Sequence, residues 1–248
     1  MVDSFNYQEL AERYGLEPLP ESVLQLSLLV ARQEADLDEM ARIISQDAAL
    51  ACRLVRAADP HAKSEPDCGV DVVKASLMCT GIGYVLLLAM CAPLTFALVK
   101  TFHTMLGAEI VRIPFDAAQP VAGEYLLCII GFSGKAEGKV TLRLSHDSAR
   151  RVAAAMLRVE PGKIKHDAEI NDAIGELLNV VAGNLNSNLC DAGLDCQLHT
   201  PSVSRAKAFE IEMVSGVGWE RAVFHAPGIL LFVDLTVNPW GGKQIAAA

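Results

Sequence analysis

The sequence has few basic residues and no run of them. It holds 21 Lys and Arg against 30 Asp and Glu, which gives a net charge of −9 at pH 7. Nucleic acids and anionic membrane surfaces are bound by concentrated basic faces, because their phosphates carry a dense negative charge. The composition therefore argues against nucleic acid and against a lipid surface as the main partner.

The cysteines lack the spacing of a disulfide framework. There are seven of them, an odd number, and no C-x-x-C pair occurs. Such scattered usage is typical of reduced, mostly buried thiols in a cytosol. The N-terminal stretch MVDSFNYQELAERYG also lacks the apolar centre of a secretory signal. We therefore expect a cytoplasmic protein.

One segment, residues 75–99, lacks charge altogether. An uncharged run of this length can span a bilayer as a helix. Gly81, Gly83 and Pro93 interrupt it, however, and Pro93 suits the first turn of a new helix. We predict two buried helices that meet at a turn near Gly81–Pro93, with a membrane span as the alternative.

The pattern of apolar residues changes after residue 108. Residues 20–58 have the spacing of helices, with Asp36 as a candidate N-cap and Glu39 three residues later. Strand patterns rich in β-branched and aromatic residues appear only after residue 108, in AEIVRIPF, EYLLCIIGF, GKVTLRLS, QLHTPSVSRA, RAVFHA and GILLFVDLTV. Two helical stretches, SHDSARRVAAAML and NDAIGELLNVVAGNLNSNL, separate the third strand from the fourth.

Strands on both sides of two helices predict an α+β fold. We expect a mainly antiparallel sheet with two long helices covering one face. The domain organisation that follows is an all-helical module at residues 1–90, the α+β domain at residues 91–240 and a flexible tail at residues 241–248.

The second predicted helix, residues 170–189, is rich in residues that disfavour helix. Its stretch NDAIGELLNVVAGNLNSNL contains five Asn and two Gly, and each costs roughly 0.5–1 kcal/mol relative to Ala in a helix interior. Its large apolar residues nevertheless share a sector of roughly 120° on a helical wheel. We predict that this sector is buried; it contains Ile170, Ile174, Leu177, Leu178, Val181, Leu185 and Leu189.

A polar stripe lies opposite that sector. It consists of Asp172, Glu176, Asn179, Gly183 and Asn186, at spacings of three and four residues. The stripe is predicted to point outward, at solvent or at another molecule, and not into a cleft of the protein's own core. A merely solvated face usually carries Lys, Glu, Arg and Ala. A carboxylate, a carboxamide and a glycine in this order favour a surface for a partner, with Gly183 allowing a close backbone approach.

The residues D-A-I-G-E-L-L-N, followed by AGN at 182–184, resemble the active-site helix of CheX/CheC-type chemotaxis phosphatases. The resemblance extends over roughly residues 92–238. It includes LVKTFHTMLGAEIVR, similar to the leading helix and first strand of that family, and TPSVSRA, similar to a later strand. GFSGKAEGKVTLRLSHDSARRVAAAML is similar to its hairpin and following helix.

This resemblance implies hydrolysis of the aspartyl phosphate of a CheY-like response regulator. By analogy, Asn179 would orient the attacking water and Glu176 would pair with a lysine of the regulator. Asp172 would support docking, together with Gly183 and Asn186. A carboxamide both donates and accepts hydrogen bonds, which suits it to position water. A non-catalytic module that only binds the receiver is the alternative.

The same resemblance implies that this chain binds no cofactor of its own. The Mg²⁺ of the reaction would be held by the phosphorylated receiver. Relatives of this type often pair through sheet edges, and the 52% hydrophobic content leaves apolar surface to bury. We therefore expect a homodimer.

The N-terminal part has a second, shorter resemblance. LPESVLQLSLLVARQEADLDEMARIISQDAALACRLVRAAD is similar to the opening helices of an HDOD domain, an output domain of bacterial signalling proteins. Asp59-Pro60 stands where that family tends to have Asn-Ser. We expect a shortened helical module and transfer no activity to it.

Two His-Asp dipeptides raise the further alternative of a metal-dependent hydrolase. His146-Asp147 and His166-Asp167 each precede a predicted helix. A metal site would need additional His and Asp ligands nearby. Helix capping, with Ser145 or Asp147 as the N-cap of the first helix, is the simpler explanation.

Overall fold

The computed structural model describes residues 21–22, 25–26, 29, 36–59, 68–80, 94–113, 124–191, 195–206 and 218–239. The predicted boundary near residue 90 and the predicted tail at 241–248 lie outside these residues.

The described N-terminal part is helical: residues 21–22, 25–26 and 29 are helical, and three short helices follow them. These three helices are α1 (Leu37–Ser45), α2 (Ala48–Ala58) and α3 (Val70–Thr80). Asp36 caps α1, as predicted, because its carboxylate accepts a hydrogen bond from the Asp38 N–H at 3.0 Å. The apolar faces of α1 and α2 are buried, and they include Met40, Ile43, Ile44, Leu50, Leu54 and Val55.

The uncharged segment contributes to two helices in the described residues. Its first six residues, 75–80, end α3, and residues 94–99 belong to α4, which is α-helical over 94–101 and continues as a π-helix at Phe102–Leu106. Residues 81–93, which contain the predicted turn, lie outside the described residues. Within the described part, no helix is both long and apolar enough to cross a membrane.

The C-terminal part is built on an antiparallel sheet. Its strands are β1 (Val111–Ile113), β2 (Tyr125–Gly134), β3 (Ala136–Ser145), β4 (Cys196–Leu198), β5 (Ser202–Ala206), β6 (Gly218–Ala226) and β7 (Ile229–Pro239). The order across the sheet is β1-β6-β7-β3-β2-β4, and β5 also pairs with β2. All of these pairings are antiparallel. The predicted α+β fold is confirmed.

One predicted strand is in fact two. QLHTPSVSRA was expected to form a single strand, whereas it contributes to β4 and β5. β5 pairs with the first half of β2, and β4 pairs with its last three residues. The residues between β4 and β5 have no register partner on β2, although the His199 backbone N–H still donates to the Gly131 carbonyl.

Two helices cover one face of the sheet. They are α5 (His146–Leu157) and α6 (Asp167–Asp191). Ser145 caps α5, as predicted, since its hydroxyl accepts from the Ser148 N–H at 3.1 Å. Of the apolar sector predicted for α6, all members whose side chains are described are 2% exposed or less: Ile170, Ile174, Leu177, Leu178, Val181 and Leu185. They pack in the same core as alternate residues of the strands, among them Leu126, Cys128, Ile130, Val140, Leu142, Leu144, Leu231 and Val233.

The opposite face of the sheet contains a buried ion pair. Asp234 on β7 is 2% exposed and faces Arg221 on β6, its register partner. The Arg221 guanidinium donates to both carboxylate oxygens, with Nη2 to Oδ2 at 3.0 Å. The guanidinium of Arg143 lies 4.5 Å from the ring centroid of Phe232 on the same face. Such a pair stabilises the sheet only while both partners are present.

Candidate functional site

The start of α6 is fixed by side chains from three directions. The His166 N–H donates to the Glu169 carboxylate at 3.1 Å, which satisfies one N–H group before the helix. Asp167 accepts from Arg205 Nη1 at 2.9 Å and contacts His146 Nε2 at 3.1 Å. The hydrogen bond with His146, reinforced by Arg205, holds the pKa of Asp167 below its usual value. The helix start is thereby tied to β5 and to the start of α5.

The two His-Asp dipeptides meet at this point, because His146 contacts Asp167. In the described part of the chain, no group of three or more His, Cys, Asp or Glu could hold a metal ion. The carboxylate of Asp167 forms an ion pair with Arg205. The contact therefore anchors the helix.

The outward stripe of α6 is confirmed over its first three residues. Asp172, Glu176 and Asn179 are exposed, opposite the buried sector. Gly183 is half-buried, and a Cβ placed on it would meet no atom within 4 Å. Asn186 is also half-buried, and its Oδ1 is enclosed without a hydrogen-bond partner in the described residues. Asn186 lies 14 residues after Asp172, slightly less than four full turns of 3.6 residues. Its side chain therefore points roughly 40° away from that of Asp172 about the helix axis.

Beside the stripe lies an open surface cleft, which the sequence pattern did not predict, while the exposed residues of the stripe still point outward as predicted. One wall is α6, and the other is the connection between β4 and β5. The cleft has a volume of about 550 Å³ and is lined by Asn171, Asp172, Gly175, Glu176, Asn179, Leu198, His199, Thr200, Pro201 and Val203. The prediction missed it because a single continuous strand would have left no such wall.

His199 holds the second wall in place. Its backbone N–H donates to the Gly131 carbonyl at 2.9 Å, and its ring Nε2 lies 2.9 Å from the Ser133 hydroxyl. A Cβ on Gly131 would lie 2.8 Å from His199 Nδ1, so the ring occupies the space that a side chain would need. His199 was not among the predicted site residues, although a glycine within a strand is a signal of such a close approach.

Asn184 connects α6 to α4. Its Nδ2 donates to the Thr101 hydroxyl at 3.3 Å, and Lys100 Nζ donates to its Oδ1 at 3.3 Å. The buried Thr101 hydroxyl in turn donates to the Ala97 carbonyl at 2.7 Å. This asparagine thus has a structural use, which separates it from Asn179 on the exposed stripe.

The cleft offers polar groups for binding. Its described lining contains no Ser, Cys or Lys. Glu176 and Asn179 are one helical turn apart, and among the described residues neither side chain has a hydrogen-bond partner. Such groups can hold a cation of a partner and orient a water molecule without forming a covalent intermediate.

Fold and site together define an α+β domain that presents one polar helix beside a cleft, preceded by short helices. A family model described as chemotaxis phosphatase CheX matches residues 126–220, and an HDOD domain model matches residues 16–107. The chain therefore contains a CheX-type domain and an HDOD-type segment, and both resemblances are confirmed. The HDOD match ends at residue 107 and includes α4, although α4 contacts the CheX-type domain through Asn184. The boundary at residue 90 stays a prediction.

Solved structures show the same fold. Chemotaxis protein CheX from Desulfovibrio desulfuricans has a TM-score of 0.52 at 22% identity, over 60% of this chain and 99% of that chain. A CheC-like superfamily protein from Shewanella sp. PV-4 has a TM-score of 0.52 at 20% identity, over 60% and 97%. CheX from Vibrio vulnificus has a TM-score of 0.51 at 21% identity, over 60% and 96%. A comparison with curated proteins gave no significant match.

Proposed function

We propose that this protein is a phosphatase for the aspartyl phosphate of a CheY-like receiver domain. The observation that carries the proposal is the exposed pair Glu176 and Asn179, one turn apart beside an open cleft. The pair lies within the residues that match the chemotaxis phosphatase CheX. Both side chains are available to a partner because the described residues do not engage them.

In this mechanism Asn179 positions the water that attacks phosphorus. Its carboxamide accepts a hydrogen bond from the water and donates one to a phosphoryl oxygen, which favours an in-line approach. Glu176 pairs with a lysine of the receiver and sets the docking register. Asp172 extends the acidic surface by one turn, and Gly183 leaves room for the receiver's backbone. Mg²⁺ is held by the phosphorylated receiver.

The proposal is tested by the rate at which phosphorylated receivers release phosphate. Receivers encoded near the gene are purified, phosphorylated, and incubated with and without the full chain. We expect at least one receiver to lose phosphate about 10²-fold faster, which corresponds to roughly 2.7 kcal/mol of barrier. Binding of a phosphorylated receiver without acceleration would instead establish the non-catalytic receiver-binding module. A lack of both binding and acceleration across these receivers would contradict both functions.

We also propose that the protein is a homodimer. The described strand order ends at β1, a strand of three residues whose Val111 side chain is 56% exposed. An apolar side chain at a sheet edge supports pairing between copies through that edge. Sedimentation equilibrium at micromolar concentration is expected to give twice the monomer mass of 26.6 kDa. A monomer mass throughout would contradict the proposal.

A further inference from the structure

Two thiols lie in contact in the N-terminal part. The sulfur atoms of Cys52 and Cys68 are 3.2 Å apart, with one S–H donating to the other sulfur. Cys52 is in the middle of α2, and Cys68 precedes α3, whose Val73 N–H donates to the Gly69 carbonyl at 3.0 Å. Because α2 and α3 pack against each other, the two thiols are brought together by the fold although 16 positions separate them.

We propose that Cys52 and Cys68 are a redox site, which forms a reversible intramolecular disulfide in the presence of a peroxide. A disulfide bond is about 2.05 Å long, so the sulfur atoms need only a small approach from 3.2 Å. Both side chains are half-buried, which leaves them accessible to a small oxidant while their surroundings restrain them. This property is independent of the proposed phosphatase activity.

One molecule of hydrogen peroxide is enough to oxidise the two thiols to the disulfide. One thiolate attacks a peroxide oxygen, the O–O bond breaks, and the sulfur becomes a sulfenic acid as hydroxide leaves. The second thiol attacks that sulfur, the S–O bond breaks, and water leaves as the disulfide forms. Two thiols are oxidised, the peroxide is reduced to two molecules of water, and a dithiol reductant reverses the change. In a reducing compartment such a disulfide would be transient, as expected of a redox sensor.

The disulfide would join the middle of α2 to Cys68, two positions before α3. It would close a loop of residues 52–68, which contains the second half of α2 and most of the chain that leads to α3. Closing a chain segment removes conformational freedom from its unfolded state. Oxidation would therefore tighten the HDOD-type segment.

The test is peptide mapping of the full chain after treatment with hydrogen peroxide. Trypsin is expected to release Cys52 in IISQDAALACR (residues 43–53) and Cys68 in SEPDCGVDVVK (residues 64–74). We expect these two peptides to be recovered as one cross-linked species, which disappears after reduction with dithiothreitol. Before oxidation both peptides are expected singly.

Cys79 and Cys190 are exposed cysteines and provide the matched controls. Cys79→Ala and Cys190→Ala are expected to retain the Cys52–Cys68 cross-link, whereas Cys52→Ala and Cys68→Ala lose it. The wild-type map itself decides the matter if a variant does not fold. Separate sulfinic acids on Cys52 and Cys68, or links from either to other cysteines or to a second copy, would overturn the proposal.

Discussion

At the scale of single residues, α6 has residues of low helix propensity on its exposed or open side. Asn179 and Gly183 lie on the exposed or open side of the helix, and Asn184 is used to hold α4. The large apolar residues of the same helix are fully buried and supply the stability that these polar residues do not. These unfavourable residues therefore have different uses: Asn179 is exposed to a partner, whereas Asn184 holds the helix against α4.

Gly183→Ala separates stability from partner binding. A Cβ at this position meets no atom, so the free energy of unfolding should rise by about 0.8–1.0 kcal/mol. The added methyl group should nevertheless weaken receiver binding, by about 1–3 kcal/mol if the receiver's backbone packs there. Both tryptophans lie at positions 219 and 240, so Trp fluorescence during urea unfolding reports on the C-terminal domain.

Gly162→Ala is the control for that substitution, because its Cβ also meets open space and the residue lies outside the cleft lining. It should leave receiver binding unchanged. Equal receiver affinities for Gly183→Ala and the wild type would show that no partner approaches Gly183.

Glu176→Ala tests docking by charge. Loss of a contact with a receiver lysine should weaken binding by about 1 kcal/mol, or roughly fivefold, and should reduce its salt dependence. The affinity is measured over a series of salt concentrations. Glu160→Ala removes an exposed carboxylate outside the cleft lining and is expected to change neither quantity. If Glu176→Ala behaves like Glu160→Ala, the Glu176 carboxylate is only solvated.

The outward or inward direction of many side chains could be predicted from the sequence, because helical periodicity alone places residues on faces of a helix. It placed Asp172, Glu176 and Asn179 outward correctly. The contacts of His199 and Asn184 were missed, since they join residues 66 or more positions apart in the chain. Periodicity carries no information about such partners.

At the scale of elements, α6 is held along its length by its neighbours. Asp167 ties its start to α5 and β5, while Asn184 ties its later part to α4. The connection between β4 and β5, fixed by His199, forms the facing wall of the cleft. These contacts present the exposed stripe on a rigid helix, which favours an accurate docking geometry.

Because of the contacts of Asp167, the stability of α6 should depend on pH. The folded pKa of Asp167 is lowered from its ordinary value of 3.8. The stabilisation is therefore present above pH 3.8 and is lost as the pH falls through the lower folded pKa. Asp167→Asn should lower the urea midpoint at pH 7 and leave a smaller difference from the wild type at acid pH. A difference that stays constant between neutral and acid pH would contradict this role.

Among the residues that the structure describes, one predicted strand was wrong. The strands, α5 and α6 follow the sequence patterns, since alternation and helical spacing reflect burial on one face. The division of QLHTPSVSRA into β4 and β5 was missed, although Pro201 inside the run is a sequence signal against one continuous strand. Pairing with two different parts of β2 decides where each strand ends, and that pairing is a tertiary property.

At the scale of the whole molecule, the change of sequence pattern after residue 108 correctly indicated two kinds of architecture. Short helices precede it, and the α+β sheet follows it. The C-terminal sheet is stabilised on one face by the apolar core under α5 and α6, and on the other by groups that include the Arg221–Asp234 pair.

Asp234→Ala should destabilise the C-terminal domain as a whole. Asp234 is 2% exposed, so its removal leaves the Arg221 guanidinium without its buried counter-ion. The expected loss is about 3–5 kcal/mol in the free energy of unfolding, measured by Trp fluorescence in urea. Asp172→Ala, which removes an exposed carboxylate, should change it by less than about 0.5 kcal/mol. Similar values for the two variants would show that the buried pair contributes little.

The central claim is that Asn179 positions the attacking water. It is tested most directly by the phosphate-release rate of Asn179→Ala on a receiver that the wild type dephosphorylates, with receiver affinity and unfolding measured alongside. Because Asn179 is exposed, affinity and stability should stay close to the wild type. The acceleration of about 10²-fold should disappear. An Asn179→Ala variant that accelerates phosphate release as strongly as the wild type would contradict the mechanism.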